Sequence, residues 1–291
     1  MKAYSLFLLR VSLALLFLVW GIEMFANVEH GMRVSERFSL GFLTAAFRTF
    51  GTLLIILGVL IILGIVRRFV YPVSLVLAGT VLISVWRSIV DPWGWYLEGT
   101  NVLYFPSLII FAGALVLVAY RAEDQLSLDS RGAGPEGFGE WQDASSPHGI
   151  PIKAASLLLL RISLGLLMLI WGADKLANVE HGLSVSEGYY FGLFTSQLLL
   201  RIFGIFQIIL GLLIVLGAVR RFAYPILLVI TCATLIGVWR SIVDPWGWYL
   251  QGNYIHYFPS LIVFTAALVL FTHRSEDHLS LDAGRCYGSG K

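Results

Sequence analysis

Charge is scarce in this chain. Asp, Glu, Lys and Arg make up 13% of its 291 residues, against about 25% in an ordinary soluble domain. That shortage, with 58% hydrophobic residues and a mean hydropathy of +0.81, excludes a water-soluble globule. Cysteine is nearly absent. Cys232 lies in an apolar run and Cys286 in a polar tail, and neither belongs to a CxxC pair, which excludes a thiol–disulfide relay or a cysteine zinc site. Basic runs are limited to Arg67-Arg68 and Arg220-Arg221, so no nucleic-acid footprint exists. No histidine pair sits inside an apolar run as a transmembrane haem would need: His256 faces a leucine, Leu103, in the repeat, and His273 ends its run.

What is abundant is apolar runs of about 20 residues, the length that carries a helix across ~30 Å of hydrocarbon. They fall roughly at Leu6–Phe25, Phe47–Val66, Tyr71–Val90, Asn101–Tyr120, Leu157–Leu176, Leu200–Val219, Tyr224–Val243 and Tyr254–Phe271. The first run is too long for a removable leader, has no small-residue cleavage site, and has a counterpart deep in the chain.

The segment VWRSIVDPWGWYL occurs twice, at Val85–Leu97 and Val238–Leu250, 153 residues apart. Arg10 matches Arg161, Trp20 matches Trp171, and Glu29-His30 matches Glu180-His181 at an offset of 151. The chain therefore reads as a tandem duplication. The expected architecture is all-α and integral to the membrane: eight transmembrane helices as two tandem four-helix bundles. Four spans per unit is an even number, so the two units share one orientation. Their bounds are 1–126 and 153–280, with a Gly/Ser/Pro linker at 127–152 and a tail at 281–291.

Lys and Arg gather at one end of the spans, at Lys2, Arg67, Arg68, Arg121, Lys153, Arg220, Arg221 and Arg274. The positive-inside rule places that end and both termini in the cytoplasm, and the DPWGWY loops outside. The lipid bilayer is the first partner, and a bacterial inner membrane is the expected location. The acidic stretches Arg121–Asp129 and Arg274–Asp282 read as solvated exits from the last span of each unit, with a short interfacial helix as the alternative.

The repeated polar letters are the candidate site. Arg87 and Asp91, like Arg240 and Asp244, are spaced i, i+4 and can pair on one helix face. Pro92 ends the helix, and Trp93 and Trp95, with Trp246 and Trp248, fall at headgroup depth. One reading is a capped helix end with an aromatic anchor. The other is a shallow outer pocket with arginine as donor and indole walls, suited to a planar quinone head group. Glu23 and Asp174 share a helix face with Trp20 and Trp171, and Lys175 follows Asp174. Such carboxylates are candidates for proton exchange or ion pairing. His30 and His181 lie beside glutamates in the first outer loop, yet one histidine per unit does not make a metal set, and no metal is expected. Arg10 and Arg161 either snorkel to headgroups or point into the bundle. Glycines in span two (Gly51, Gly58, Gly204, Gly211) read as close-packing positions.

The strings LLRISLGLLMLIWGADKLANVEHG (159–182) and RIFGIFQIILGLLIVLGAVRRFAYP (201–225) resemble the DoxX-like family of four-helix membrane proteins. The shared features are an early arginine in span one, a Gly followed by an acid–Lys pair at its end, and a Gly-rich span two that closes on basic residues. The first unit is similar but has Met24 in place of the lysine. The resemblance implies a compact four-helix bundle and, in some relatives, membership of a thiosulfate:quinone oxidoreductase or other redox-linked membrane partnership. It thus points to quinone as the one possible cofactor and to other membrane subunits as partners. A glutamate often found in span two of the family is replaced here by Gln207, and by Leu54 in the first unit. Two functions follow: a quinone-linked redox subunit, or a non-catalytic accessory subunit of a larger membrane complex. The sequence does not decide whether the chain is an enzyme.

Overall fold

A computed structural model describes residues 1–26, 47–99, 101–132, 151–189, 196–251 and 255–283. The first half contains α1 (Lys2–Ala26), α2 (Phe47–Leu63), α3 (Arg67–Ser84), the short α4 (Trp86–Val90), α5 (Pro106–Ala119) and the short α6 (Leu128–Gly132). The second contains α7 (Ile152–Ala177), α8 (Val179–Tyr189), α9 (Gln197–Leu216), α10 (Arg220–Gly237), the short α11 (Trp239–Val243) and α12 (Ser260–Thr272). Single 3₁₀ turns, Val102–Tyr104 and Ile255–Tyr257, lead into α5 and α12. His30, most of the linker and the end of the tail lie outside the described residues.

The protein is an all-α integral membrane protein. Seven helical segments among the described residues are long and apolar enough to cross a bilayer. The eighth expected span, α2, has 17 residues and covers about 25 Å. The third span of each half is shorter than the apolar run suggested. The helix stops at Ser84, Val85 breaks it (φ −101°, ψ 14°), and Trp86–Val90 forms a separate turn. The outer faces of α2, α3, α9 and α10 expose Leu53, Ile56, Val76, Ile205, Ile209 and Val229. Apolar surface of that extent is stable against lipid and not against water.

The halves run parallel, as expected, but they do not form separate bundles. α1 packs on α2, and α7 on α9. Across the halves, α5 lies against α7 and α1 against α12. The four helices α1, α5, α7 and α12 surround one apolar core that includes Leu13, Phe17 and Ile110 from one half and Leu164, Ile262 and Leu270 from the other. α3 then packs on α5, and α10 on α12.

Glycine sets the closest approaches. A Cβ at Gly21 would lie 2.8 Å from the Gly51 carbonyl, and one at Gly172 would lie 2.6 Å from the Gly204 carbonyl. Backbones touch there, and the dispersion contact replaces a hydrophobic drive that lipid cannot supply. The expected packing role of the span-two glycines is thus observed. The α2–α3 corner needs Gly64 at φ +64°, where a Cβ would strike Ser127, and Gly217 repeats this at φ +66° against Ser280.

Candidate functional site

Polar residues converge at two ends of the bundle. At the terminal end, Arg10 from α1 is 1% exposed and donates from Nη1 to Asp124 at 2.8 Å and from Nη2 to the Leu126 carbonyl. Tyr71 of α3 donates to the same carboxylate at 2.5 Å. Arg67 donates to the carbonyls of Arg121 and Asp124, and its backbone N–H is capped by Asp129 at 3.0 Å. The second half repeats the lock with Arg161, Asp277, Tyr224, Arg220 and Asp282. A guanidinium away from water needs a carboxylate and further hydrogen bonds to offset its desolvation, and this lock supplies both.

The acidic stretches are therefore not solvated exits. Asp124 and Asp277 are each 1% exposed, and the stretches fold back under the bundle as its floor. Arg10 and Arg161 point into the bundle and do not snorkel. Sequence reading missed Asp124, Asp277, Tyr71 and Tyr224. The usable signal was an arginine within the first apolar span of both repeats that needed an acid, with the repeated acids at the same end confined to the stretches 121–129 and 274–282.

On the axis between the halves, the starts of α1 and α7 meet the ends of α5 and α12. Lys2 pairs with Glu276, and Lys153 with Glu123 at 2.8 Å. Tyr120 and its repeat counterpart His273 stack edge to face, with centroids 5.0 Å apart. Burial pushes the His273 imidazole below the usual histidine value. Burial works against the Glu276 charge, but the Lys2 ammonium and the neighbouring Tyr120 hydroxyl outweigh it and hold the carboxyl below its usual value.

At the opposite end lie the repeated turns. Arg87 does not pair with Asp91. Asp91 accepts from the N–H groups of Trp95, Tyr96 and Leu97 at 3.1, 2.7 and 2.8 Å, which ties the DPWGWY turn to itself. Asp244 does the same for Trp248, Tyr249 and Leu250. Burial raises the Asp91 value, but the three amides prevail and hold it below the ordinary 3.8. Asp91 and Asp244 cap the short helices with non-helical backbone (φ −131°, ψ 78° and φ −132°, ψ 73°), and from there each turn wraps its own aspartate. Arg87 and Arg240 are exposed and stack over Trp86 and Trp239 at 6.0 Å. Trp93 stacks on Trp95 at 5.0 Å, and Trp246 on Trp248 at 4.8 Å.

Trp93 also reaches the other half, donating to Asp174 at 3.3 Å. Asn178 donates to the same oxygen at 2.9 Å. Lys175 turns away to the Trp171 carbonyl at 3.2 Å and lies over the Phe203 ring. Glu23 is buried near the end of α1. His181 is exposed on α8, apart from these groups. The structure thus joins Asp91, Trp93, Trp95 and Asp174, and Asp244, Trp246 and Trp248. It leaves Arg87, Arg240 and His181 outside those clusters.

An arginine buried early in the first helix of a unit, a Gly-packed second helix and an acid–Lys step between them are what the structure keeps in its second half. Residues 156–239 match the DoxX family model. The DoxX match runs from α7 to the start of α11 and includes Arg161, Asp174, Gln207 and Tyr224. Neither the curated proteins nor the solved structures gave a match to this chain.

Proposed function

We propose that this DoxX-type membrane protein is an accessory subunit that docks on a larger membrane complex through its tryptophan turns. Its setting is a bacterial inner membrane, with the termini and the arginine locks on the cytoplasmic side, where the Lys/Arg excess belongs. The observation that carries this reading is the outer rim. Trp95 (66% exposed), Tyr96, Trp248 and Tyr249 stand out beside exposed Arg87 and Arg240, on turns stiffened by Asp91 and Asp244. Trp, Tyr and Arg dominate binding energy at protein interfaces, and a rigid turn loses little entropy when it docks. The strongest buried charges are meanwhile used to hold helices together. Purification in a mild detergent, with the co-eluting subunits identified by mass spectrometry, tests this. Wild type should bring down a stoichiometric partner, and Trp95→Ala/Trp248→Ala should lose it while keeping the fold. A chain that elutes alone from its native membrane would sink the reading.

A second reading, a quinone-linked redox role, is favoured by one feature. The exposed Arg87 guanidinium beside Trp86 offers a donor at the depth where a quinone head group resides. Its test is quinone extracted from the purified protein, present in wild type and absent in Arg87→Ala/Arg240→Ala.

A further inference from the structure

The two acidic stretches meet on the axis between the halves, and there the repeat is broken by a change of chemistry. Tyr120 in the first half corresponds to His273 in the second. His273 is 0% exposed. Its Nδ1 lies 3.1 Å from the Val269 carbonyl, one helical turn back, and 3.1 Å from the Thr272 hydroxyl. A carbonyl only accepts, so the tautomer that bonds to Val269 carries its proton on Nδ1 and has a lone pair on Nε2, which is buried and without a hydrogen-bond partner among the described residues. A buried acceptor without a partner is costly, so such an atom asks for an explanation.

Two carboxylates supply one. A ring nitrogen of His273 and one oxygen each of Glu123 and Glu276 all lie within 4.8 Å of one another. Glu123 comes from the first half, and His273 and Glu276 from the second. We propose that Glu123, His273 and Glu276 form a site for a borderline divalent cation of the zinc type, which ties the two halves together at the terminal end. One imidazole and two carboxylates are three protein ligands of the kind such ions take, and water completes a tetrahedron.

The lysines are the competing partners. Lys2 and Lys153 hold the two carboxylates, and their side chains are 45% and 44% exposed. Each can swing into water on its four-carbon stem, and one dication replaces two ammonium groups with no change in local charge. Bonds near 2.0–2.2 Å to a tetrahedral ion need ligand atoms about 3.4 Å apart. The set must therefore contract from its present spread, a movement that glutamate rotamers supply. Spacing in sequence did not reveal this set, because Glu123 lies 150 residues from His273 and meets it only through the packing of α5 against α12.

The test uses the full chain without a polyhistidine tag, purified in detergent, stripped with a chelator, and titrated with zinc and with cobalt(II). About one ion per chain should bind, cobalt should give a visible d–d band, and zinc should raise the unfolding temperature. His273→Gln and Glu123→Gln should each weaken zinc by at least about tenfold. His278→Ala, which removes an exposed histidine one turn away, should leave binding unchanged. Lys2→Gln/Lys153→Gln should tighten zinc, because the competing ammonium groups are gone. That double variant is exposed and distant from the core, so it reports even if His273→Gln fails to fold. Absence of stoichiometric binding, equal affinity in His273→Gln, or weaker affinity in the double lysine variant would each overturn the site.

Discussion

Arg10 gives one Nη1 hydrogen bond to Asp124, whereas Arg161 reaches both oxygens of Asp277, at 2.7 and 2.9 Å. Apart from that, the locks of the two halves match bond for bond. The halves diverge elsewhere. Ser5 and Ser12 of α1 bond to Thr272 and Thr265 of α12 at 2.7 and 2.8 Å. On the other side of the axis, their counterparts Ser156 and Ser163 face a helix that has Ala119 and Ala112 at those positions, and they bond back to their own helix. Trp93 finds Asp174, while the Trp246 indole N–H is buried with no partner among the described residues. Gln207 replaces Leu54, and His273 replaces Tyr120. What the halves share holds each one's own helices together. Where they differ is along the axis, at the turn end and within span two, where a folding constraint common to both cannot account for the residues.

The largest way to break this comparison is to cut a lock. Arg10→Ala and Arg161→Ala each strand a buried carboxylate, and each should cost about 3–5 kcal/mol of stability, read by thermal unfolding in detergent. Similar losses support equivalent locks; a loss in one half alone would end the equivalence. Next come the backbone contacts. Gly21→Ala and Gly172→Ala push a methyl into a facing carbonyl and should each cost about 1–3 kcal/mol. Gly79→Ala should cost nothing, since its added methyl meets only the Phe111 ring at 3.4 Å. A smaller effect separates the two sides of the axis. Ser12→Ala should cost about 0.5–1.5 kcal/mol and Ser163→Ala almost nothing, because only the first bonds across the halves.

The smallest effect is acid sensitivity of the turns. Asp91 and Asp244 have values lowered in the folded protein, so their contribution is complete above the unfolded value of 3.8. It is lost as pH falls through their lower folded values. Tryptophan emission from the turns should stay constant from pH 7 to about pH 4 and change below that. Asp91→Asn/Asp244→Asn should show the altered emission already at pH 7. A transition centred near neutral pH would contradict the assignment.

Several features were legible before any coordinates. The apolar runs placed most spans to within a few residues and the third span of each half to within about six, because hydrocarbon thickness imposes a length that composition alone displays. The repeat announced a parallel pair, and the glycines announced close helix contacts. The i, i+4 pairing of Arg87 with Asp91 does not form, because the short helix ends at Val90 and Asp91, at φ −131° and ψ 78°, turns its carboxylate to the amides of the following turn. The acidic floor reads as solvent-exposed in sequence because four charged letters in nine look hydrophilic wherever they fold.

Sequence alone determined the class of this protein, its spans, its internal repeat and its likeness to DoxX, since each of these is written in local composition or in letters compared with letters. Tertiary structure alone decided that the halves share one core, that Arg10 closes on Asp124 more than a hundred residues away, and that Glu123 meets His273 and Glu276 on the axis. The physical reason is range. Hydropathy and helical period act within a turn or a span, whereas a buried charge finds its partner only when helices from distant parts of the chain are packed together.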